Sequence, residues 1–339
     1  MSLKRSKKQA GNLNGRGSRL NHINQTAIEV GHIVSARTAT PRGGIQLFEG
    51  TIFTGAPWKV INATVVEGLE QIESESVDCI ITSPPYYWQR DYEVEGQIGH
   101  ENTINGYVEA LVTAFREARR VLAEDGVFFL NVGDTYYSAR GRPHGTDKKH
   151  AGRQMARRTL RAVDGPGLGL PRKSLIGIPW RVALALQADG WTLRSAAIWQ
   201  RPASLPEPTA KDRPWRTYEN IFILSKSPRY WFNRDGLAGD EDVWQITARP
   251  ADPGAHFAPF PRELVERCLA CGCKPGGTVL DPFVGSGTTM LAALHRGLPA
   301  IGIDLKPEYC AYIVRRVAME FSTPSLFGTR SLLHGSAIR

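Results

Sequence analysis

The residues best suited to chemistry close the stretch Val77-Asp78-Cys79-Ile80-Ile81-Thr82-Ser83-Pro84-Pro85-Tyr86. Val77, Ile80 and Ile81 belong to a short apolar run, the pattern of a strand buried in a parallel sheet. The run stops at Ser83, and two prolines follow. A proline has no N–H to give and holds φ near about −65°. Pro84 also biases Ser83 towards extended backbone. The predicted result is a stiff strand end that displays a small hydroxyl, carbonyls without a sheet partner, and an aromatic ring. A flat group carrying an amine fits such a surface. Ser83 and the Pro84 carbonyl can accept its hydrogens, and Tyr86 can stack on it. On these four residues alone, a proline-terminated strand with a solvated loop remains the other reading.

A second stretch has the residue types of a ligand loop. Gly277 to Asp281 reads as a strand, Pro282-Phe283-Val284-Gly285-Ser286-Gly287-Thr288-Thr289 as a loop, and Met290 to His295 as a helix. Ala300 to Asp304 is then a strand ending in an acid, followed by a helix from Pro307 to Ala318. Gly285 and Gly287 let the backbone pass close to a ligand. The helix N-terminus behind them favours a negative group. Asp304 lies 19 residues after Gly285, an offset at which a carboxylate commonly grips ribose hydroxyls. The pattern predicts a nucleoside-containing cofactor. A dinucleotide fingerprint needs a further glycine where Met290 stands, and the Asp-Pro-Phe opening leaves little room for a pyrophosphate. S-adenosylmethionine fits better, with its ribose at Asp304 and its methionine end over the glycine loop near Thr288.

The elements that must position these loops alternate in type. Ile45 to Phe48, Thr51 to Phe53 and Trp58 to Ile61 read as short strands, and Val65 to Ile72 has helical spacing. Tyr107, Leu111, Val112, Phe115, Ala118 and Leu122 form one apolar stripe, which predicts a helix over 103–122. Asp125-Gly126 ends it, and Val127 to Val132 is the next strand. Strand, crossover helix and strand make a βαβ unit. A helix is expected over 175–186, with strands over 191–199 and 218–225 as sheet neighbours. Residues 235–259 look irregular, and Pro261 opens a helix to Cys271. Tyr87, Trp88 and Arg90 follow the first motif directly, as a lid over a flat ligand would. Cys268, Cys271 and Cys273 sit in an apolar helical pattern without a fourth ligand at suitable spacing. They read as core rather than zinc site, and no metal is expected.

The chain has 339 residues, a formal charge of +9, 42% hydrophobic and 22% charged residues, and five cysteines. These are globular values. The sequence has no long apolar run and no apolar leader core, so membrane partners are excluded and a cytoplasmic location is expected. The basic balance points to a polyanionic partner. Residues 1–44 read as a basic, disordered tail and 326–339 as a C-terminal tail. Residues 138–173 hold ten cations, among them Arg140, Arg142, Lys148, Lys149, Arg153, Arg157 and Arg158, against Asp147 and Asp164. So long and basic a loop predicts contact with a phosphate backbone.

Together the two motifs resemble the amino-methylating DNA methyltransferases, which modify N4 of cytosine or N6 of adenine. Ser83-Pro84-Pro85-Tyr86 matches that family's catalytic motif, and Asp281-Pro282-Phe283-Val284-Gly285-Ser286-Gly287-Thr288 matches its cofactor motif. Phe260-Pro261 resembles a further cofactor motif, with Phe257 where proline is more familiar. Catalytic motif first and cofactor motif last resembles the permuted beta order. The resemblance implies a Rossmann-like α/β fold over 45–325, a mostly parallel twisted sheet with helices on both faces. It implies S-adenosylmethionine as cofactor, double-stranded DNA as partner and a nucleoid-associated protein. Whether a cognate restriction endonuclease accompanies it in the same system stays open. Residues 235–259 are few for a target-recognition region, so 138–173 is expected to share that role.

The target base must leave the duplex to reach the cofactor. It is expected to stack on Tyr86, with Tyr87 or Trp88 closing over it. A serine at the first motif position resembles the cytosine-N4 enzymes, with adenine N6 as the alternative. RNA or a protein amide is a more distant substrate, and the oligomeric state stays open.

Overall fold

The computed structural model describes residues 37–39, 45–90, 92, 94–139, 141, 161–202, 207, 210–237, 239, 241–247 and 260–321. In chain order the elements are β1 (Arg37–Ala39), β2 (Gln46–Thr51), β3 (Pro57–Asn62), α1 (Val65–Glu70), β4 (Val77–Thr82), α2 (Ile104–Val121) and β5 (Leu122–Val132). Then come α3 (Ile178–Ala188), β6 (Thr192–Gln200), β7 (Tyr218–Ser225), β8 (Val243–Gln245), α4 (Arg262–Gly272), β9 (Val279–Asp281), α5 (Thr288–His295), β10 (Ala300–Asp304) and α6 (Pro307–Phe321). One sheet holds the strands in the order β1-β2-β3-β10-β9-β4-β5-β7-β6-β8.

The centre of the sheet, β3-β10-β9-β4-β5, is parallel throughout. β7 runs antiparallel to both β5 and β6, and β1 and β2 add an antiparallel margin. Side chains alternate across the strands and divide the core in two. Cys79, Ile81, Val127 and Phe129 face α4, α5 and α6. Ile80, Phe128 and Leu130 face α1, α2 and α3. The expected Rossmann-like sheet with helices on both faces is therefore what forms.

Local signals explain the helix starts. Thr64 and Glu67 close a capping box on α1. The Gly106 N–H donates to the Thr103 hydroxyl at the start of α2. The stripe of α2 is buried at Tyr107, Leu111, Phe115 and Ala118, each large side chain contributing about 2 kcal/mol.

Four expectations change. β2 is one strand through Thr51, with the turn at 52–56 where a further strand was expected. β5 begins at Leu122, before Asp125-Gly126, because Leu122 already pairs with Val77 of β4. Within 235–259, β8 pairs parallel to β6 and buries Trp244, while 248–259 lies outside the described residues. Within 1–44, β1 joins the sheet edge; the other tail residues and 326–339 lie outside the described residues.

Candidate active site

β9 and β4 are neighbours in the sheet, and the chain leaves them in opposite directions. From β9 it passes through α5 to β10 on one side; from β4 it passes through α2 to β5 on the other. A crevice opens where such connections diverge, at the carboxyl ends of the strands. Both predicted loops sit there, around a cleft of about 410 Å³. Its walls include Ser83, Pro84, Pro85 and Tyr86 together with Asp281, Pro282, Phe283, Gly285, Thr288, Asp304 and Phe260.

Asp281 joins the two motifs. Its carboxylate accepts from the Thr82 hydroxyl at 2.6 Å, the Thr289 hydroxyl at 2.6 Å and the Phe283 N–H at 3.1 Å. Burial pushes its pKa up to about 6, against those three hydrogen bonds. The strand that leads into Ser83 is thereby tied to the loop that follows β9.

Around the glycine loop, Gly285 and Gly287 adopt positive φ of 51° and 84°, backbone that glycine enters without a Cβ clash. The Gly285 N–H donates to Asp304 Oδ2 at 3.0 Å, and the Lys306 N–H to Oδ1 at 2.8 Å. Each carboxylate oxygen has a second lone pair, so Asp304 can still accept two hydroxyls from a ligand. Burial pushes its pKa up to about 7. Tyr309 and Lys306 continue this wall, with the ammonium 5.2 Å from the ring. Gly287 and Pro261 are not part of the cleft wall. Gly287 caps α5, where a Cβ would come 3.1 Å from Ile313, and Pro261 caps α4.

On the catalytic side the loop is braced. The Tyr107 hydroxyl donates to the Pro85 carbonyl at 2.9 Å, and the Trp88 N–H to the Gly99 carbonyl at 2.8 Å. The Tyr86 ring packs against Gly133, where a Cβ would stand 2.4 Å from Cε2. Its hydroxyl meets Glu219 Oε2 at 2.6 Å, Asn131 Oδ1 at 3.1 Å and the Ser83 hydroxyl at 3.2 Å. Burial and the Glu219 charge hold the Tyr86 phenol well above its ordinary pKa. Arg201 Nη1 pairs with Glu219 Oε1 at 3.1 Å.

The expected lid is different. Tyr87 is 1% exposed and packs 5.2 Å from Tyr107. With Tyr86 in the cleft, the turn that begins at Tyr87 carries its ring into the α2 core, and it does not line the cleft. Trp88 stacks on His100 at 4.5 Å and donates to the Glu101 carbonyl, away from the cleft wall. Arg90 does line the cleft, with Gln89 and Tyr92.

The basic segment is only partly described. Arg140, Arg142, Lys148, Lys149, Arg153, Arg157 and Arg158 lie outside the described residues. The returning end, from residue 161, is folded. Arg161 pairs with fully buried Asp164 at 2.5 Å and donates to the Trp88 carbonyl at 3.2 Å. It braces the loop after the first motif rather than presenting a charge to a phosphate. Val163 is buried beside it. The cysteines are core: Cys79, Cys268, Cys271 and Cys273 are all buried, and burial raises the Cys79, Cys268 and Cys271 thiols.

Asn131, Trp199, Arg201 and Glu219 complete the cleft, and the sequence reading assigned them no role. A signal existed for two of them. Asn131 interrupts the apolar run of β5, and Glu219, near the start of β7, is an acid two residues before its apolar run.

The family model described as DNA methylase, for N6 and N4 methyltransferases, matches residues 77–315. The Type II methyltransferase M.Cfr9I of Citrobacter freundii is 42% identical over 278 residues, covering 78% of this chain and 90% of the relative. The Type II methyltransferase M.SmaI of Serratia marcescens is 42% identical over 76% of this chain and 90% of its own. Among solved structures, the PvuII DNA methyltransferase, described as cytosine-N4-specific, superposes with a TM-score of 0.59 at 21% identity. That match covers 78% of this chain and 91% of the other. A putative DNA modification methylase of Thermus thermophilus, solved with S-adenosyl-L-methionine, superposes at 0.53 with 22% identity, over 77% and 93% of the two chains. Motifs, sheet order and relatives agree that the chain belongs to the DNA methylase family of N6 and N4 amino-methyltransferases.

Proposed function

We propose that this protein transfers the methyl group of S-adenosylmethionine to the exocyclic N4 amine of a cytosine flipped out of double-stranded DNA. The observation that carries this reading is the shared cleft, where Ser83-Pro84-Pro85-Tyr86 stands opposite the glycine loop and Asp304. The relatives' designation as Type II methyltransferases supports a place in a restriction-modification system.

The residues present fit the cofactor. Asp304 has lone pairs for two ribose hydroxyls, Tyr309 offers a ring to the adenine, and the glycine loop admits a close backbone approach. When bound, the cofactor supplies an electrophilic methyl group on a sulfonium sulfur. The chain's own residues prepare the amine. Its lone pair is delocalised into the base and is a poor nucleophile. Hydrogen bonds from the amine to Ser83 Oγ and the Pro84 carbonyl draw the nitrogen towards tetrahedral geometry. They strengthen as positive charge develops on nitrogen, so they favour the transition state over the ground state. The braced loop fixes that geometry beforehand. Serine at the first motif position supports cytosine over adenine. The basic segment 140–158 and Arg90 are proposed to hold the phosphate backbone.

The test is methyl transfer from labelled S-adenosylmethionine to unmethylated DNA, with nucleoside mass spectrometry of the product. N4-methylcytosine is expected. N6-methyladenine would overturn the base assignment and keep the enzyme class. Absence of any methylated nucleoside in DNA would overturn the DNA reading. Ser83→Ala is expected to slow the transfer roughly tenfold, the worth of one charge-assisted hydrogen bond. Gly133→Ala will push the Tyr86 ring off its seat. A roughly tenfold slower transfer is expected, with cofactor affinity within about twofold of wild type. An unchanged rate in single-turnover assays would refute the role given to that contact.

A further inference from the structure

The methyl transfer has a proton to dispose of, and the cleft contains a path for it. An amine that gains a methyl group must lose one hydrogen. Ser83 Oγ, where the amine is proposed to bind, lies 3.2 Å from the Tyr86 hydroxyl, and that hydroxyl lies 2.6 Å from Glu219 Oε2. The directions of these bonds are set by chemistry. A carboxylate only accepts, so the Tyr86 hydrogen points to Glu219. Asn131 Oδ1, at 3.1 Å, is the other acceptor in reach, but the charged and closer partner wins. The Asn131 amide is oriented by its own donations, to Glu219 Oε2 at 3.1 Å and to the Asn220 carbonyl at 3.3 Å. With its hydrogen committed, the Tyr86 oxygen accepts from Ser83. Ser83, having given its hydrogen to Tyr86, turns a lone pair towards the cleft. A serine so arranged accepts from an amine and does not donate to it.

We propose that Glu219 is the terminal proton acceptor of methyl transfer, reached from the target amine through the hydroxyls of Ser83 and Tyr86. This rests on the amine binding at Ser83, as proposed above. As the N–C bond forms, the C–S bond of the methyl donor breaks and leaves its electron pair on sulfur. One amine N–H bond breaks, and that proton passes to Ser83 Oγ. The Ser83 proton passes to the Tyr86 oxygen, and the Tyr86 proton to Glu219 Oε2. Both hydroxyls are regenerated, the amine has exchanged a hydrogen for a methyl group, and the carboxylate has become a carboxylic acid. The Tyr86 phenol, held in its neutral form by burial and by Glu219, relays the proton and does not store it. Arg201 holds the other oxygen of Glu219 and fixes the carboxylate in line.

The experiment compares single-turnover methyl transfer in H2O and D2O, using the full chain, S-adenosylmethionine and a duplex oligonucleotide. Wild type is expected to be slower in D2O, with a curved proton inventory because more than one proton moves. Glu219→Gln keeps the size and one acceptor oxygen but takes no proton. It is expected to lose at least roughly tenfold in rate and its solvent isotope effect, with cofactor and DNA affinities unchanged. Unchanged cofactor affinity also shows that the cleft is folded. Tyr86→Phe removes the middle hydroxyl and is expected to abolish the isotope effect in the same way. Glu219→Asp is expected to restore part of both rate and isotope effect. A Glu219→Gln enzyme as fast as wild type, or one that slows while its isotope effect persists, overturns the relay. The relay serves an adenine amine as well as a cytosine amine. A wild-type product of N6-methyladenine therefore defeats the base assignment and leaves the relay standing. A wild type that methylates no DNA defeats both.

Discussion

Asp281→Ala will destabilise the protein by about 4 kcal/mol and abolish measurable cofactor binding. The carboxylate is 2% exposed and serves three donors: the Thr82 hydroxyl, the Thr289 hydroxyl and the Phe283 N–H. Alanine leaves all three without their acceptor. Each buried donor left unsatisfied costs about 1–3 kcal/mol, and a hydroxyl that rotates to another acceptor recovers part of it. The loss also has a functional side. Thr82 ends the strand that leads into Ser83, and Thr289 opens the helix behind the glycine loop. Without the shared carboxylate, the two loops lose the strap that holds them at one distance. Asp281→Asn will recover most of the stability, because its amide can accept from one threonine and donate to the other. Chemical denaturation at neutral pH measures the first effect and calorimetric titration with the cofactor the second. An alanine variant within about 1 kcal/mol of wild type would refute the strap.

The second large effect concerns pH. The Asp304 pKa is pushed up to about 7 from an ordinary 3.8, chiefly by burial. The folded protein without ligand therefore binds this proton more tightly than the unfolded chain. Its stabilising contribution is complete below pH 3.8 and is lost as pH rises through about 7. Asp281, raised to about 6, adds a slope of the same sign over a lower range. Cofactor binding has the opposite dependence. Ribose hydroxyls donate, so they prefer the ionised carboxylate. Affinity will rise up to about tenfold per pH unit below about 7 and level off above it. Asp304→Asn will flatten this dependence and weaken binding at about pH 8 by about 100-fold, the worth of two charge-assisted hydrogen bonds. Titrations from about pH 5.5 to about pH 8.5, which bracket the raised carboxyl on both sides, check both statements. A wild-type affinity independent of pH would remove Asp304 from the ribose site.

These two acids show how unevenly the sequence discloses the site. Asp304 could be read from its offset to Gly285 and from its place at the end of an apolar run. Asp281 could be read only as part of a motif, and its bond to Thr82 crosses 199 residues of chain. The strands were legible because burial on both faces leaves an apolar run that ends where the chemistry begins. β8 was not legible, since its three residues carry too short a pattern.

Local sequence was sufficient for the two loops, the parallel sheet behind them and the family. Each of those follows from interactions within about twenty residues: proline ending a strand, glycine opening a loop, an acid closing the next strand. Only folding set β4 and β9 side by side, so that both loops open into one cleft. It turned Tyr87 into the core, where its ring packs on Tyr107 of α2, 20 residues further along the chain. It set the Arg161 guanidinium against the Trp88 carbonyl, 73 residues away in the chain, and withdrew that cation from the surface. It also brought Asn131 and Glu219 to the Tyr86 hydroxyl across 45 and 133 residues of chain. β5 and β7 pair antiparallel, which sets Asn131 beside Ile221 and aligns Glu219 with its amide. No local pattern records a meeting made by strand order, and that is why the Asn131 and Glu219 side of the cleft appeared only in the folded chain.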